Sequence, residues 1–150
     1  MLKAIKRALG AISEDHQPLP AQERRQLQLA VAVLVHEARR ADYAEGDAKE
    51  SHAAQMALAD LFGLEAEEAA ALLAQGRDKA QHLTSFYAPL SVIKREWSIR
   101  ERVRLIEHLW RVSFVDGKLD YYEDHYVRKI AHLLYIPHTE NMLARNRARG

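Results

Sequence analysis

Apolar residues recur along this chain at intervals of three and four, the spacing that places them on one face of an α-helix. Leu2, Ile5, Leu9 and Ile12 follow a 3-4-3 rhythm and predict a short amphipathic first helix, which His16-Gln17-Pro18-Leu19-Pro20 breaks. Leu27, Val31, Leu34, Ala38 and Ala41 then mark one face of a long helix over residues 21–41. Within it Leu29–Val35 is apolar all round, which predicts a helix packed on several sides. Sustained period-2 alternation and Asn-Gly hairpin turns are missing, so no strand is expected.

Three later helix starts carry capping boxes, in which a small polar residue is followed three positions on by glutamate. Asp47-x-x-Glu50 opens a helix running to Phe62, with Gly63 placed for the left-handed position after its end. Ser98-x-x-Glu101 opens another, with an apolar face of Ile99, Val103, Ile106, Trp110 and Phe114. Asp120-x-x-Glu123 opens the third, with Val127, Ile130, Ala131 and Leu134 inward and Pro137 as its stop. Between the first two, 66–75 and 77–87 read as two shorter helices, separated by Gly76 and ended by Pro89. The expectation is an all-α fold of about seven helices in a single domain. Its core would cover 22–137, preceded by the first helix and linker (1–20) and followed by a basic C-terminal segment (138–150).

The chain also repeats itself. With Glu50 aligned on Glu123, Asp47 falls on Asp120, Leu61 on Leu134 and Phe62 on Tyr135. Upstream, Ala41-Asp42 matches Val115-Asp116 if the first loop holds one extra residue. Each half reads as a long helix, a terminal aspartate, a turn with glycine (Gly46 or Gly117) and a capped second helix. Two such hairpins pack most simply about a pseudo-twofold axis.

Composition changes this picture in two ways. The chain has 150 residues and no cysteine, so thiolate metal sites, thiol nucleophiles and disulfides are excluded, and any ion must be held by carboxylate, imidazole or carbonyl groups. A net charge of +1 hides a gradient: residues 1–12 carry +3 and 138–150 carry +2, leaving −4 for the body. The basic ends lack the interleaved aromatics that stack bases, so no nucleic-acid partner is expected. The longest apolar stretch, Leu27–Val35, is far too short to span a membrane, and Met1–Ile12 lacks the unbroken apolar run of a secretory signal. A cytoplasmic protein follows as the expectation.

The candidate chemistry lies in the acids. Asp42 and Asp116 each sit where a long helix ends, at the negative end of its dipole, where a carboxylate is disfavoured by roughly 0.3–1 kcal/mol. Asp47, Glu50, Asp120 and Glu123 sit at positive N-termini instead. Capping alone accounts for Asp47 and Asp120, whereas Glu50 and Glu123 serve equally as caps or as ligands. Glu37 lies near Asp42 along the same helix and joins the cluster or faces solvent. If the hairpins face each other, carboxylates converge, and a pair about 5 Å apart repels by about 3 kcal/mol at an effective dielectric of 20. Arg39, Arg40, Arg111 or Arg128 could neutralise them from within. A divalent ion could do so from outside, and all-oxygen ligation favours Ca²⁺ or Mg²⁺ while leaving Zn²⁺ and Mn²⁺ open.

The competing motifs fail. His36-Glu37 is followed by Arg40 where a zincin needs histidine, no Glu-x-x-His occurs, and neither a phosphate loop nor a nucleophile elbow is present. His52 and His125 both follow the repeated glutamate by two residues, and on a helix that spacing does not share a face. Trp97, Trp110, Phe114, Tyr121 and Tyr122 flank the second hairpin and read as core and hairpin packing.

At these residues the chain resembles the TerB-like family, the helical domain associated with bacterial tellurite resistance. The carriers are Glu37-Ala38-Arg39-Arg40-Ala41-Asp42, Glu50 and Leu61-Phe62-Gly63-Leu64 in the first half. In the second they are Val115-Asp116-Gly117-Lys118-Leu119-Asp120-Tyr121-Tyr122-Glu123 and Ile130-Ala131-His132-Leu133-Leu134. The resemblance covers 22–145 and implies an all-α fold of two helix hairpins whose acids, here Asp42, Glu50, Asp116, Glu123 and Glu37, are suspected of binding metal. The family's Asp-Gly is Asp42-Tyr43 in this chain, a departure in the first loop. A related domain begins some membrane-anchored DnaJ-type co-chaperones, so the resemblance also implies a protein partner. The expected function is a non-enzymatic divalent-cation-binding module linked to metal or tellurite stress. The alternative is a protein-interaction scaffold in which the acids are caps and a docking surface. A metal-dependent hydrolase ranks last, and a homo-oligomer is compatible with either of the first two readings.

Overall fold

The computed structural model describes residues 19–40, 48–115, 117, 119 and 121–150. Among them run seven helices and no strand: α1 (Ala21–Arg40), α2 (Ala48–Phe62), α3 (Ala66–Gln81), α4 (Tyr87–Glu96), α5 (Ile99–Phe114), α6 (Tyr121–Leu133) and α7 (His138–Arg149). The all-α expectation holds. The helix expected over 1–12 lies outside the described residues.

Helix α1 is the centre of the fold. Every residue from Ala30 to Val35 is buried, because α2, α3, α4 and α5 all pack against it. Each fully buried Leu or Val there contributes about 1.5–3 kcal/mol relative to exposure, so the all-round apolar run is a major local source of core stability. The second layer is α5 with α7 and α6. Its core is wider than the predicted stripe: Leu105, Leu109 and Val112 join Ile106 and Trp110, while Ile99 is exposed. On α6 the inward residues are those expected: Val127, Ile130 and Ala131, followed by Leu134.

Two elements correct the sequence reading. Residues 66–81 form one continuous helix where the sequence pattern predicts two, over 66–75 and 77–87, and Tyr87 instead begins α4. Gly76 is buried against α1, and a Cβ built there would lie 2.7 Å from the Ala32 backbone carbon and 2.8 Å from its oxygen. The glycine permits two helix backbones to touch, a packing reason that outweighs its poor helix propensity of about 1 kcal/mol. Pro89 likewise ends nothing. It lies in the first turn of α4, where its missing N–H would have had no partner in the helix.

The basic segment 138–150 is a helix as well. Asn141 and Ala144 are buried against α5, and the Trp110 indole N–H donates to Asn141 Oδ1 at 2.9 Å. Arg147 pairs with Glu107 across the same interface. Elsewhere Arg102 gathers two helix ends: its guanidinium donates to the carbonyls of Lys94 (2.8 Å), Trp97 (3.1 Å) and Leu134 (3.2 Å). The last carbonyls of a helix have no partner within it, and a cation there also meets the negative end of the dipole.

Candidate acidic site on two helix hairpins

The repeat seen in the sequence is present in local structure. Glu50 is the third residue of α2 and Glu123 the third of α6, and both are buried, at 5% and 4% exposure. Each follows a long helix, α1 or α5. Both repeated helices also end alike. The Leu64 N–H donates to the Ala59 carbonyl and the Ile136 N–H to the Ala131 carbonyl, each at 3.0 Å, across one left-handed residue. That residue is Gly63 (φ 63°) in the first half and Tyr135 (φ 60°) in the second, so the helix ends match one residue away from the sequence register, which sets Phe62 on Tyr135.

Of the capping boxes, the one at Ser98 is fully described. The Ser98 hydroxyl accepts from the Glu101 N–H at 3.3 Å, and the Ser98 N–H donates to Glu101 Oε1 at 3.0 Å. Asp47 and Asp120, the expected caps of α2 and α6, lie outside the described residues. So do Asp42 and Asp116, the two helix-end aspartates. Gly117 is described, with φ 78° and an N–H donating to the Phe114 carbonyl at 2.9 Å, which fits a tight turn after α5.

Three of the five candidate ligands can therefore be placed: Glu37, Glu50 and Glu123. Each engages a neighbouring group. Among the described residues no set of three or more His, Asp or Glu side chains is gathered closely enough to hold a metal ion.

Tyr126 connects Glu37 to the second hairpin, a link the sequence did not reveal. Its hydroxyl donates to the Leu34 carbonyl of α1 at 2.8 Å. Burial raises the Tyr126 hydroxyl well above the ordinary phenol range, and the Glu37 charge pushes it further up. Tyr126 lies one helical turn after Glu123, and Glu37 one turn after Leu34, so α1 meets the first half of α6 at the level of these acids. A single aromatic with a polar tip, spaced 92 residues from its acceptor, leaves no local signature.

Two of the four expected internal cations are engaged elsewhere and a third is not described. Arg111 pairs with Glu107 at 2.9 Å and Arg128 with Asp124 at 2.8 Å; the Arg40 side chain lies outside the described residues. Tyr121 and Tyr122, read as hairpin packing, are 83% and 73% exposed, a correction that puts two aromatics on the surface beside Glu123. Trp97 and Trp110 are core as expected, with Trp97 stacked on Phe62 at 5.5 Å. His52 is exposed and His125 stacks on Tyr121 at 6.1 Å.

A family model described as tellurite resistance protein TerB matches residues 28–146. The chain belongs to the TerB family. No curated protein and no solved structure matches it. The TerB match begins inside α1 and ends inside α7, so it takes in both hairpins and most of the helix formed by the basic C-terminal segment. Among the described residues no helix of this TerB domain is long and apolar enough to cross a membrane.

Proposed function

We propose that this TerB domain is a non-enzymatic, cytoplasmic module that binds a divalent cation through Asp42, Glu50, Asp116 and Glu123, with Glu37 as an outer ligand, in a response to metal or tellurite stress. The observation that supports it is the burial of Glu50 and Glu123 at equivalent positions. Withdrawing a carboxylate from water costs several kcal/mol even after relaxation. A helix N-terminus returns about 0.3–1 kcal/mol at the surface and up to about 2 in partly buried geometry. Capping by itself offsets only part of that cost, each glutamate also engages a neighbouring group, and a cation between the hairpins would favour both carboxylates at once. The donors are hard oxygens, which suit Ca²⁺ or Mg²⁺ better than thiophilic ions. Tyr126 places Glu37 within electrostatic reach of the same helix.

Thermal melts in chelator and in added Ca²⁺, Mg²⁺, Zn²⁺ or Mn²⁺ test this reading. An ion at 100 times its Kd adds about 2.7 kcal/mol. Stabilisation by one of these ions, abolished in Asp116→Ala, is the expected result. Melts that no ion moves, or a shift that Asp116→Ala leaves intact, contradict it.

A second reading draws on the exposed Tyr121 and Tyr122 beside buried Glu123: a docking surface for a protein partner, since surface aromatics are the residues enriched in interface hot spots. In that case Tyr121→Ala and Tyr122→Ala weaken partner capture while the response to ions stays flat.

A further inference from the structure

A second feature stands beside the acidic one, and its charge is opposite. A cavity of about 580 Å³ opens between the turn at Gly117, the outer face of α6 and the last turns of α7. Three arginines line it: Arg128 from α6 and Arg145 and Arg149 from α7. Asp124 is the one carboxylate among the described lining residues, and those residues together carry a surplus of two positive charges.

The arrangement is costly as packing alone. Arg145 and Arg149 are one turn apart on α7, and like charges at that spacing repel. Arg128 Nε already takes Asp124 at 2.8 Å, while Arg145 Nε stands 3.9 Å from the same carboxylate, beyond hydrogen-bond reach. Arg145 Nε is buried and makes no hydrogen bond among the described residues. Its guanidinium lies over the Trp110 ring, 5.5 Å from the centroid, within cation–π range. Among the described residues Arg149 has no ion-pair partner. Helix-dipole complementarity explains a cation in the last turn of α7, but not three guanidinium groups around one concavity.

We propose that this cavity binds a phosphate-bearing small molecule. Guanidinium forks match phosphate oxygens two at a time, and the volume falls within the range of small-molecule sites. Tyr121 stands at the rim, 83% exposed and stacked on one side by His125, and offers its ring to a planar group carried by the phosphate. The proposal does not rest on the cation reading, because every group it uses is basic or aromatic.

Titration calorimetry of the full chain in EDTA tests it, with pyrophosphate and ATP as probes and sulfate at matched ionic strength as control. Saturable binding of pyrophosphate or ATP, with sulfate much weaker, is expected. Tighter binding of ATP assigns an organic phosphate that uses Tyr121; tighter binding of pyrophosphate assigns an inorganic one. Arg145→Gln and Arg149→Gln each raise Kd by about tenfold or more. Arg149 is exposed near the chain end, so Arg149→Gln decides the matter if Arg145→Gln does not fold. No saturable binding, an equal response to sulfate, or an unchanged Kd in Arg149→Gln overturns the proposal.

Discussion

Trp110 and Asn141 tie the two ends of the second half together through a buried hydrogen bond, indole N–H to amide oxygen at 2.9 Å, between α5 and α7. Both residues are almost fully buried, so neither group has water as a substitute. This contact makes the basic C-terminal segment part of the core.

Asn141→Leu tests that role. It leaves the Trp110 N–H unpaired in an apolar setting, which costs about 1–3 kcal/mol. At about 2–4 °C per kcal/mol for a domain of this size, a thermal melt drops by several degrees. An unchanged melting temperature contradicts a structural role for α7.

Gly76→Ala sets two effects against each other. Alanine gains about 1 kcal/mol in helix propensity. Its methyl, however, meets the Ala32 backbone at 2.7 Å, and backbone cannot step aside as a side chain can. Overpacking costs of about 1–3 kcal/mol are typical and prevail here. Denaturant unfolding is expected to show a net loss of stability; a gain means that α1 and α3 separate freely.

The same position shows why part of the fold could not be read from sequence. Helical periodicity placed α1 and α5 to within a residue, because their buried faces are formed by side chains. It placed α6 at its start though not at its end, which comes at Leu133 before the expected stop at Pro137. Gly76 and Pro89 act through the backbone, by close approach and by an N–H not needed, and a pattern of apolar side chains is blind to both. The acidic pair shows the opposite case. Glu50 and Glu123 were recognisable from the repeat, whereas the Leu34–Tyr126 contact, on which Glu37's link to α6 depends, exists only after folding.

Arg102→Ala removes three hydrogen bonds to the carbonyl ends of α4 and α6. Bonds to a charged donor contribute about 1.5–3 kcal/mol each when isolated, but the three share one side chain and do not add fully. A loss of about 2–4 kcal/mol is expected in chemical denaturation. Arg102→Lys restores little of it, since an ammonium cannot span the three acceptors with the planar fork. Full rescue by lysine contradicts the clamp.

Stability is expected to fall as pH drops below about 6.5, through His108. Burial is the main cause that lowers its pKa from the ordinary value of 6.5, opposed by its 2.7 Å contact with Asp60. The imidazole is neutral and Nε2–H donates to the carboxylate. A group with a depressed folded pKa contributes stability above its unfolded value and loses it as pH falls towards the folded one. Asp60 acts in the same direction further down: the His108 hydrogen bond, its largest influence, helps to hold its pKa below 3.8. His108→Gln removes the first decline and weakens the second, for which Arg104 remains the other favourable partner of Asp60. A pH–melt profile between 7 and 5 identical in wild type and His108→Gln contradicts this assignment.

The most direct test of the cation-binding reading is elemental analysis of protein purified without chelator and freed of excess ions by gel filtration. About one divalent ion per chain is expected, reduced to background in a Glu50→Gln/Glu123→Gln variant whose circular dichroism confirms an intact helical fold. A wild-type protein that carries no divalent ion and acquires none on dialysis against Ca²⁺ or Mg²⁺, or a variant that retains the wild-type content, contradicts it.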